Sequence, residues 1–141
     1  RDEGMSLLSM LYAVTYSDTA AILKPSNIWR RMRSTESGRT SLRGLMEQLV
    51  RGVDNLHKDG IAHRDIKPSN FVWRLKDIPP IMYELVVIDF GLGCYEGEKN
   101  FWYEAGTAGY LAPERFDTHN TNRQPLTSKV HLYGVGCILY S

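Results

Sequence analysis

The sequence predicts an α+β fold from three local patterns. One segment repeats apolar residues at spacings of three and four, which is typical of an amphipathic helix. Two short segments are rich in β-branched and aromatic residues, as strands are, and a proline pair lies between them. The final segment is apolar on nearly every side, which indicates a buried helix.

Composition and charge narrow the classes of function. The chain has 141 residues, 43% of them apolar and 23% charged, as expected for one soluble globular domain. Its net charge of +1 gives no general attraction to nucleic acid or anionic membranes, so we expect no nucleic-acid partner and a strictly local phosphate site. The longest apolar runs, "ELVVIDF" and "LYGVGCILY", are shorter than the roughly 20 residues that span a bilayer.

The two cysteines and the start of the chain bear on its location. No secretory signal pattern follows Arg1, although the natural N-terminus need not be this residue. Cys94 and Cys137 suggest reduced thiols, each serving as a small buried apolar residue. We therefore expect an intracellular protein of the cytoplasm or nucleus.

The first third of the chain predicts strands and then a short helix. The apolar stretch from Ser6 to Leu23 is broken by the turn-like "TYSD", which predicts two short strands. Ser26 or Asn27 is then placed to cap a helix through "IWRRMR". We expect this helix to fade into a polar loop, "TESGRT".

A longer helix is predicted in the middle of the chain. Its apolar stripe ends at Gly60, a residue type suited to the position after a helix. The stripe consists of Leu42, Leu45, Met46, Leu49, Val53 and Leu56.

The second half predicts a hairpin and a terminal helix. "FVW" and "ELVVIDF" predict two strands joined by a long tip, "RLKDIPPIMY". "SKVHLYGVGCILYS" predicts a helix that other protein elements must surround. Because few residues follow it, we expect the sequence to be cut within that helix.

Two polar clusters follow apolar elements. "HRDIKPSN", His63 to Asn70, follows the long helix, and "DFG", Asp89 to Gly91, follows the strand "LVVI". Carboxylate and amide oxygens suit Mg²⁺, which keeps some of its waters and substrate phosphates. The sequence has no cysteine and histidine cluster that would favour Zn²⁺.

These clusters resemble the protein kinase family, whose catalytic loop is H-R-D-x-x-x-x-N and whose metal loop is D-F-G. "GTAGYLAPE", Gly106 to Glu114, is similar to the end of a kinase activation segment. The resemblance implies a partial bilobal fold, mainly the helical large lobe with a short hairpin that carries both loops. Residues 1–35 would end the small lobe and include the hinge and first large-lobe helix; residues 36–141 would form a large lobe truncated in its central helix.

The resemblance also implies a role for each polar residue. Asp65 would orient the substrate hydroxyl or accept its proton, and Lys67 would neutralise the transferring phosphoryl group of ATP. Asn70 and Asp89 would hold Mg²⁺. Thr107 would hydrogen-bond Asp65 and Lys67, an arrangement similar to the serine/threonine branch.

Neighbouring apolar residues have two interpretations. Val72 and Ile88 match positions that form the floor beneath adenine, but ordinary strand core explains them equally well. His63 and Phe90 resemble residues that stack between the lobes, which is also ordinary packing. We expect Gly91 to adopt backbone dihedrals that only glycine tolerates.

Three departures from the family pattern stand out. No glycine-rich loop or strand lysine precedes the catalytic loop. His131 occupies the position of an aspartate that accepts catalytic-loop N–H bonds, so the loop would be held less firmly unless water or another side chain contributes. The activation segment has no serine or threonine between residues 92 and 106, and Glu104, or phosphorylated Tyr103, would supply the anion for Arg64.

The expected function is phosphoryl transfer from ATP to serine or threonine hydroxyls of protein substrates, within a larger kinase domain. The 141 residues alone are expected to have negligible activity, because the groups that clamp ATP from above are missing. A pseudokinase or scaffold that binds partners is the main alternative. A small-molecule phosphotransferase is a third, disfavoured by "APE" and "GTAGY", which position protein substrates in the family.

Overall fold

A computed structural model describes residues 4–75, 83–98, 105–115 and 128–140. The helices are α1 (Leu7–Leu11), α2 (Asn27–Ser34), α3 (Glu36–Lys58) and α4 (His131–Tyr140). The strands are β1 (Met5–Ser6), β2 (Tyr12–Tyr16), β3 (Ala21–Pro25), β4 (Ile61–Ala62), β5 (Phe71–Leu75), β6 (Tyr83–Val87) and β7 (Cys94–Tyr95). Short 3₁₀ turns cover Pro68–Asn70, Pro113–Arg115 and Ser128–Val130. This mixture of helices and strands agrees with the predicted α+β class.

The predicted hairpin around the proline pair is present as β5 and β6. The two strands are antiparallel, with Phe71 opposite Val87 at one end and Leu75 opposite Tyr83 at the other. The predicted long tip, residues 76–82, lies outside the described residues. Strand β1 adds to the other edge of β5, which gives the sheet order β1-β5-β6.

The two strands predicted around "TYSD" are β2 and β3, which form a separate antiparallel hairpin. A helix before them, α1, was not predicted. Ser6 caps this helix by accepting a hydrogen bond from the Ser9 backbone N–H at 3.1 Å. Leu7 and Leu11, four residues apart on one helical face, are fully buried. A single turn of helix is too short to show its period clearly in the sequence.

Ser26, one of the two predicted caps, begins α2 by accepting the Trp29 backbone N–H at 3.0 Å. The prediction of a polar loop after α2 is wrong, because α3 already begins at Glu36. Thr35 supplies the cap by accepting the Gly38 backbone N–H at 3.1 Å. A capped first turn with an acidic residue can be helical despite a polar composition.

Helix α3 carries the predicted apolar stripe into the core. It ends where expected, since Gly60 has a φ of 69°. Gln48 connects α3 to β6, donating to the Tyr83 carbonyl at 3.3 Å and accepting the Leu85 N–H at 2.9 Å. The buried core residues are Leu7, Met10, Leu11, Trp29, Met32, Leu45, Leu49, Val53, Ile66, Phe71, Leu85, Val135 and Ile138.

Helix α4 contacts this core through one face only. Its buried residues are His131, Gly134, Val135 and Ile138. Leu132, Tyr133, Leu139 and Tyr140 are exposed to solvent within the described residues. The expectation that the whole helix is surrounded is therefore not met by the elements that the structure describes. No helix in those parts of the chain is long and apolar enough to cross a membrane.

The remaining sequence expectations have mixed outcomes. Cys94 is buried, as expected, while Cys137 is half-buried. Burial raises the pKa of the Cys94 thiol, which agrees with a structural role. Tyr103 and Glu104 lie outside the described residues, so their interaction with Arg64 stays a prediction. The division at residues 35 and 36 also stays a prediction.

Candidate active site

A buried histidine connects the two loops that contain the candidate site. His63 has no exposed surface, and its Nε2 donates to the Ile88 carbonyl at 2.9 Å. Its Nδ1 accepts the Asp65 backbone N–H at 3.3 Å, so the ring is neutral with its proton on Nε2. The His63 ring also lies 4.9 Å from that of Phe90, which is the contact that the family resemblance implied.

The side chains of Asp65, Lys67 and Thr107 form a closed triangle. The Thr107 hydroxyl donates to Asp65 Oδ1 at 2.7 Å, and Lys67 Nζ lies 2.8 Å from Asp65 Oδ2. Lys67 Nζ also donates to Thr107 Oγ1 at 2.8 Å. Both hydrogen bonds expected of Thr107 are therefore present. Each carboxylate oxygen has its own donor, which fixes the orientation of the carboxylate.

The environment of Asp65 keeps its carboxyl group ionised. The side chain is buried, and burial alone would raise its pKa. Hydrogen bonds from Lys67, Thr107 and Asn70, together with the Lys67 charge, outweigh this effect, so the pKa of Asp65 lies below its ordinary value of 3.8. Asp65 is consequently an anion and hydrogen-bond acceptor at neutral pH.

Asn70 joins the predicted catalytic loop, His63–Asn70, to the strand before the predicted metal loop, Asp89–Gly91. Its amide nitrogen donates to the Asp65 carbonyl at 2.8 Å and to Asp65 Oδ2 at 3.0 Å. Its backbone carbonyl accepts the Ile88 N–H at 2.9 Å, which extends the β5–β6 ladder by one bond. These bonds place Asn70 beside Asp65 and opposite Ile88, the residue that immediately precedes Asp89.

The oxygens of Asn70 and Asp89 fit a hard cation. Both side-chain hydrogen bonds of Asn70 use its nitrogen, so Oδ1 has no partner among the described residues. The Asp89 carboxylate is exposed and accepts the Gly91 N–H at 3.3 Å. The described parts of the chain contain no group of three or more His, Cys, Asp or Glu that could hold a metal. The fit therefore depends on one carboxylate, one amide and the phosphates of a bound nucleotide.

The backbone of the metal loop differs from the expectation. Gly91 does not have a positive φ, whereas Asp89 does, at 63°. Asp89 is a residue type that tolerates this conformation, so it makes the sharp turn itself. A Cβ at Gly91 would lie 3.2 Å from Asp89 Oδ1. Glycine therefore leaves space for the Asp89 carboxylate, and the prediction about the Gly91 dihedrals is wrong.

The predicted adenine-floor residues lie on adjacent strands. Val72 and Ile88 are both half-buried, so neither is fully enclosed in the core. Val72 is paired with Ser6 on one side and Val86 on the other. A Cβ at Gly4 would overlap the Val72 side chain, so the start of the described chain lies directly against it. Contact with adenine stays a prediction for both residues.

The segment that contains Thr107 passes close to the catalytic loop because of a glycine. Gly106 has a φ of 124°, and a Cβ there would lie 2.6 Å from the Arg64 carbonyl oxygen. A side chain at this position would overlap the Arg64 carbonyl and would be strained by the positive φ, so glycine permits the close approach. Arg64 itself has a φ of 66° and donates from Nε to the Leu92 carbonyl.

His131 contacts the catalytic loop where the family has an aspartate. Its Nε2 accepts the Arg64 backbone N–H at 2.9 Å, and its Nδ1 lies 2.9 Å from His57 Nε2. The Arg64 amide is thus bonded by His131 itself, while His57 contacts His131, and the expectation of a less firmly held loop stays a prediction. No local pattern points to His57, since a histidine in the last turn of a helix is common and the two positions are 74 residues apart.

Comparison with known proteins identifies the family of this chain. A protein kinase domain model matches residues 11–141. The chain belongs to the protein kinase family. The kinase chain is 36% identical over 99 residues to the serine/threonine-protein kinase cds1 of Schizosaccharomyces pombe, a match that covers 68% of the chain and 20% of that protein.

Two further relatives broaden the comparison. The kinase chain is 33% identical over 125 residues to the DNA damage response protein kinase DUN1 of Saccharomyces cerevisiae, covering 79% of the chain and 23% of that protein. It is 29% identical over 169 aligned positions to a "probable inactive protein kinase" of Arabidopsis thaliana, covering 97% of the chain and 45% of that protein. The chain thus spans less than half the length of each of these relatives.

Proposed function

We propose that this kinase chain contributes the catalytic and metal loops of a serine/threonine protein kinase. The reaction is transfer of the γ-phosphoryl group of ATP to a protein hydroxyl. The observation that carries the proposal is the closed triangle of Asp65, Lys67 and Thr107. A solvated surface loop has no reason to bury a carboxylate and supply a donor to each of its oxygens.

Asp65 orients the substrate in this proposal. Its low pKa makes it a weak base, so it mainly accepts a hydrogen bond from the attacking hydroxyl and takes the proton late in the step. The hydroxyl oxygen forms a bond to the γ-phosphorus while the bond from phosphorus to the bridging oxygen breaks, and ADP leaves. Thr107 and Lys67 keep the carboxylate aimed during this exchange.

Lys67 has one N–H donor available for a phosphoryl oxygen. Its ammonium group has three donors, and two of them are used by Asp65 and Thr107. The third can meet the charge that develops on the transferring group. Asn70 Oδ1 and the Asp89 carboxylate would hold Mg²⁺, which neutralises phosphate charge when bound.

The preference for serine and threonine is the finer part of the proposal. It is supported by the contact between Lys67 and Thr107 and by the serine/threonine kinase among the relatives. A protein substrate is supported by "APE" beside this contact, at Ala112 to Glu114. An intracellular location and the lack of a nucleic-acid partner stay predictions.

The test uses the full-length protein with ATP, Mg²⁺ and peptide libraries that contain serine, threonine or tyrosine. Asp65→Asn should lower the phosphorylation rate about 10²–10⁴-fold, because the hydroxyl loses its acceptor. Asp54→Asn is the matched control, since Asp54 is an exposed carboxylate paired with Lys58 on α3. Equal activity of the Asp65 variant, or transfer to tyrosine alone, would contradict the proposal.

A pseudokinase remains the second candidate because of two observations. His131 replaces the family aspartate, and one relative is named as an inactive kinase. This alternative predicts partner binding without phosphate transfer. Nucleotide binding that depends on Asp89 but yields no product with any peptide in the full-length protein would favour it.

A further inference from the structure

A buried ring, a half-buried ring and one backbone amide form a continuous hydrogen-bonded chain behind the candidate site. The Arg64 N–H, His131 and His57 are joined in that order by two contacts of 2.9 Å each. The centroids of the His57 and His131 rings are 5.1 Å apart and their planes lie 27° from parallel, so the rings meet edge to edge along this hydrogen bond. His131 is 4% exposed, so water has little access to the middle of this chain.

The first contact decides the proton positions in the rest of the chain. A backbone N–H can only donate, so His131 Nε2 must be an unprotonated acceptor. A neutral imidazole then has its proton on Nδ1, and this N–H points at His57 Nε2. His57 Nε2 must therefore be unprotonated too, which leaves the His57 proton on Nδ1. Only one proton arrangement of two neutral rings satisfies both contacts.

We propose that His57 and His131 act as a positioning pair for the catalytic loop, in which His131 accepts the Arg64 N–H and His57 fixes the His131 tautomer. Arg64 immediately precedes Asp65, so this amide sets the path of the backbone that presents the catalytic carboxylate. The inference deepens the proposed kinase function and depends on it for its effect on the reaction.

The surroundings of both rings favour their neutral forms. Burial lowers the pKa of His131 to about 3, helped by His57, His63 and Arg115, while Glu96 opposes the shift. Burial also lowers the pKa of His57, against the attraction of Glu96 and Asp54. These groups come from α3, the loop after β4, the segment after β7 and the 3₁₀ turn Pro113–Arg115.

Acid should break this pair in a defined way. A protonated His57 would place an N–H against the N–H of His131. To avoid that clash His131 would have to move its proton to Nε2, where it would face the Arg64 N–H. A carboxylate at position 131 would behave in the opposite way, because it accepts from both neighbours and gains from a positively charged His57.

The first measurement needs no catalysis. Long-range ¹H–¹⁵N spectra of the full-length protein, with imidazole nitrogens labelled, distinguish protonated from unprotonated ring nitrogens. At pH 7.5 we expect unprotonated Nε2 and protonated Nδ1 in both rings. Detection of the other tautomer in His131 overturns the proposal, whether or not the protein is an active kinase.

The second measurement is the pH dependence of kcat with a protein substrate at saturating ATP. The native protein should lose activity on the acid side, with a midpoint below the ordinary histidine value of 6.5. His131→Asp should move this acid limb of the kcat–pH profile to lower pH. His131→Leu should lower kcat about ten-fold or more at pH 7.5, because the Arg64 amide is left without an acceptor. His131→Gln, whose carbonyl can reach the Arg64 N–H, should restore most of that loss.

Leu132→Ala is the control for general damage to α4, since Leu132 is adjacent and 55% exposed. It should leave both kcat and the acid limb unchanged. A purely structural histidine would give similar losses in the Leu and Gln variants and no shift of the limb in the Asp variant; that result overturns the proposal. If no variant transfers phosphate at any pH, the kinase function fails, and the tautomer spectra decide the histidine pair.

Discussion

Thr107 donates its hydroxyl hydrogen to Asp65 Oδ1 at 2.7 Å although the two residues are 42 positions apart. The same hydroxyl accepts from Lys67, so one oxygen connects the proposed base to the proposed phosphate-binding cation. A hydroxyl can do both at once because it has one donor and two acceptor sites. The Thr107 side chain therefore couples the segment Gly106–Glu114 to the loop His63–Asn70.

Removal of this hydroxyl should reduce catalysis more than substrate binding. Thr107→Ala is expected to lower kcat about ten-fold or more, since hydrogen bonds to charged groups contribute about 1.5–3 kcal/mol. Thr107→Ser keeps the hydroxyl and should retain most of the activity. Steady-state kinetics of the full-length protein separates kcat from KM. Equal rates for the Ala and Ser variants would mean that the hydroxyl has no part in the reaction.

Variants at the two proposed metal ligands should differ in how their kinase activity depends on the Mg²⁺ concentration. Asp89→Asn removes an exposed anionic ligand and should raise the Mg²⁺ concentration needed for half-maximal activity at least several-fold. Asn70→Ala should lower activity as well, and added Mg²⁺ should not restore it fully, because Asn70 also holds Asp65. Mg²⁺ titrations of the kinase assay test this difference. Unchanged Mg²⁺ dependence in the Asp89 variant would contradict the assignment.

Two glycines of α4 offer a matched pair for stability. A Cβ at Gly134 would lie 2.9 Å from the Ile66 carbonyl and 3.2 Å from that of Tyr110, whereas a Cβ at Gly136 would meet nothing within 4 Å. Gly134→Ala should therefore lower the free energy of unfolding by about 1–3 kcal/mol. Gly136→Ala should raise it by about 0.5–1 kcal/mol. Urea unfolding of both variants tests the close contact, and equal effects would disprove it.

Stability should fall with acid because of His131. Its pKa is about 3 in the folded protein and 6.5 ordinarily, so below pH 6.5 the unfolded chain binds the additional proton. The contribution is complete above pH 6.5 and is lost progressively toward pH 3. The free energy of unfolding should drop by about 2 kcal/mol from this group between pH 7.5 and pH 5.

His131→Gln provides the comparison for this pH effect, because glutamine does not titrate. The variant should lose most of the slope between pH 7.5 and pH 5. Asp65 does not interfere, since its pKa lies below 3.8 and its contribution is lost only in stronger acid. Denaturant unfolding at several pH values measures the slope. An identical slope in native protein and variant would show that His131 is not held neutral.

Local sequence patterns were sufficient to predict those elements whose formation depends on residues that are close together in the chain. The stripe of α3, the cap at Ser26 and the β5–β6 hairpin follow from side-chain period and capping chemistry within a few residues. The polar start of α3 was missed because composition suggested a loop, while one hydrogen bond at Thr35 sufficed to begin the helix earlier. The dihedral constraint in the metal loop was likewise assigned to Gly91 although Asp89 bears it.

The sequence by itself determined the motif order, and with it the family and the candidate residues Asp65, Lys67, Asn70 and Asp89. Only the tertiary structure decided how the catalytic loop is supported. His57 and His131 are far apart in the chain, and neither ring has a fixed tautomer until the two rings and the Arg64 amide are placed against one another. A pattern of residue types records which groups are present, but the direction of a hydrogen bond depends on which atoms meet.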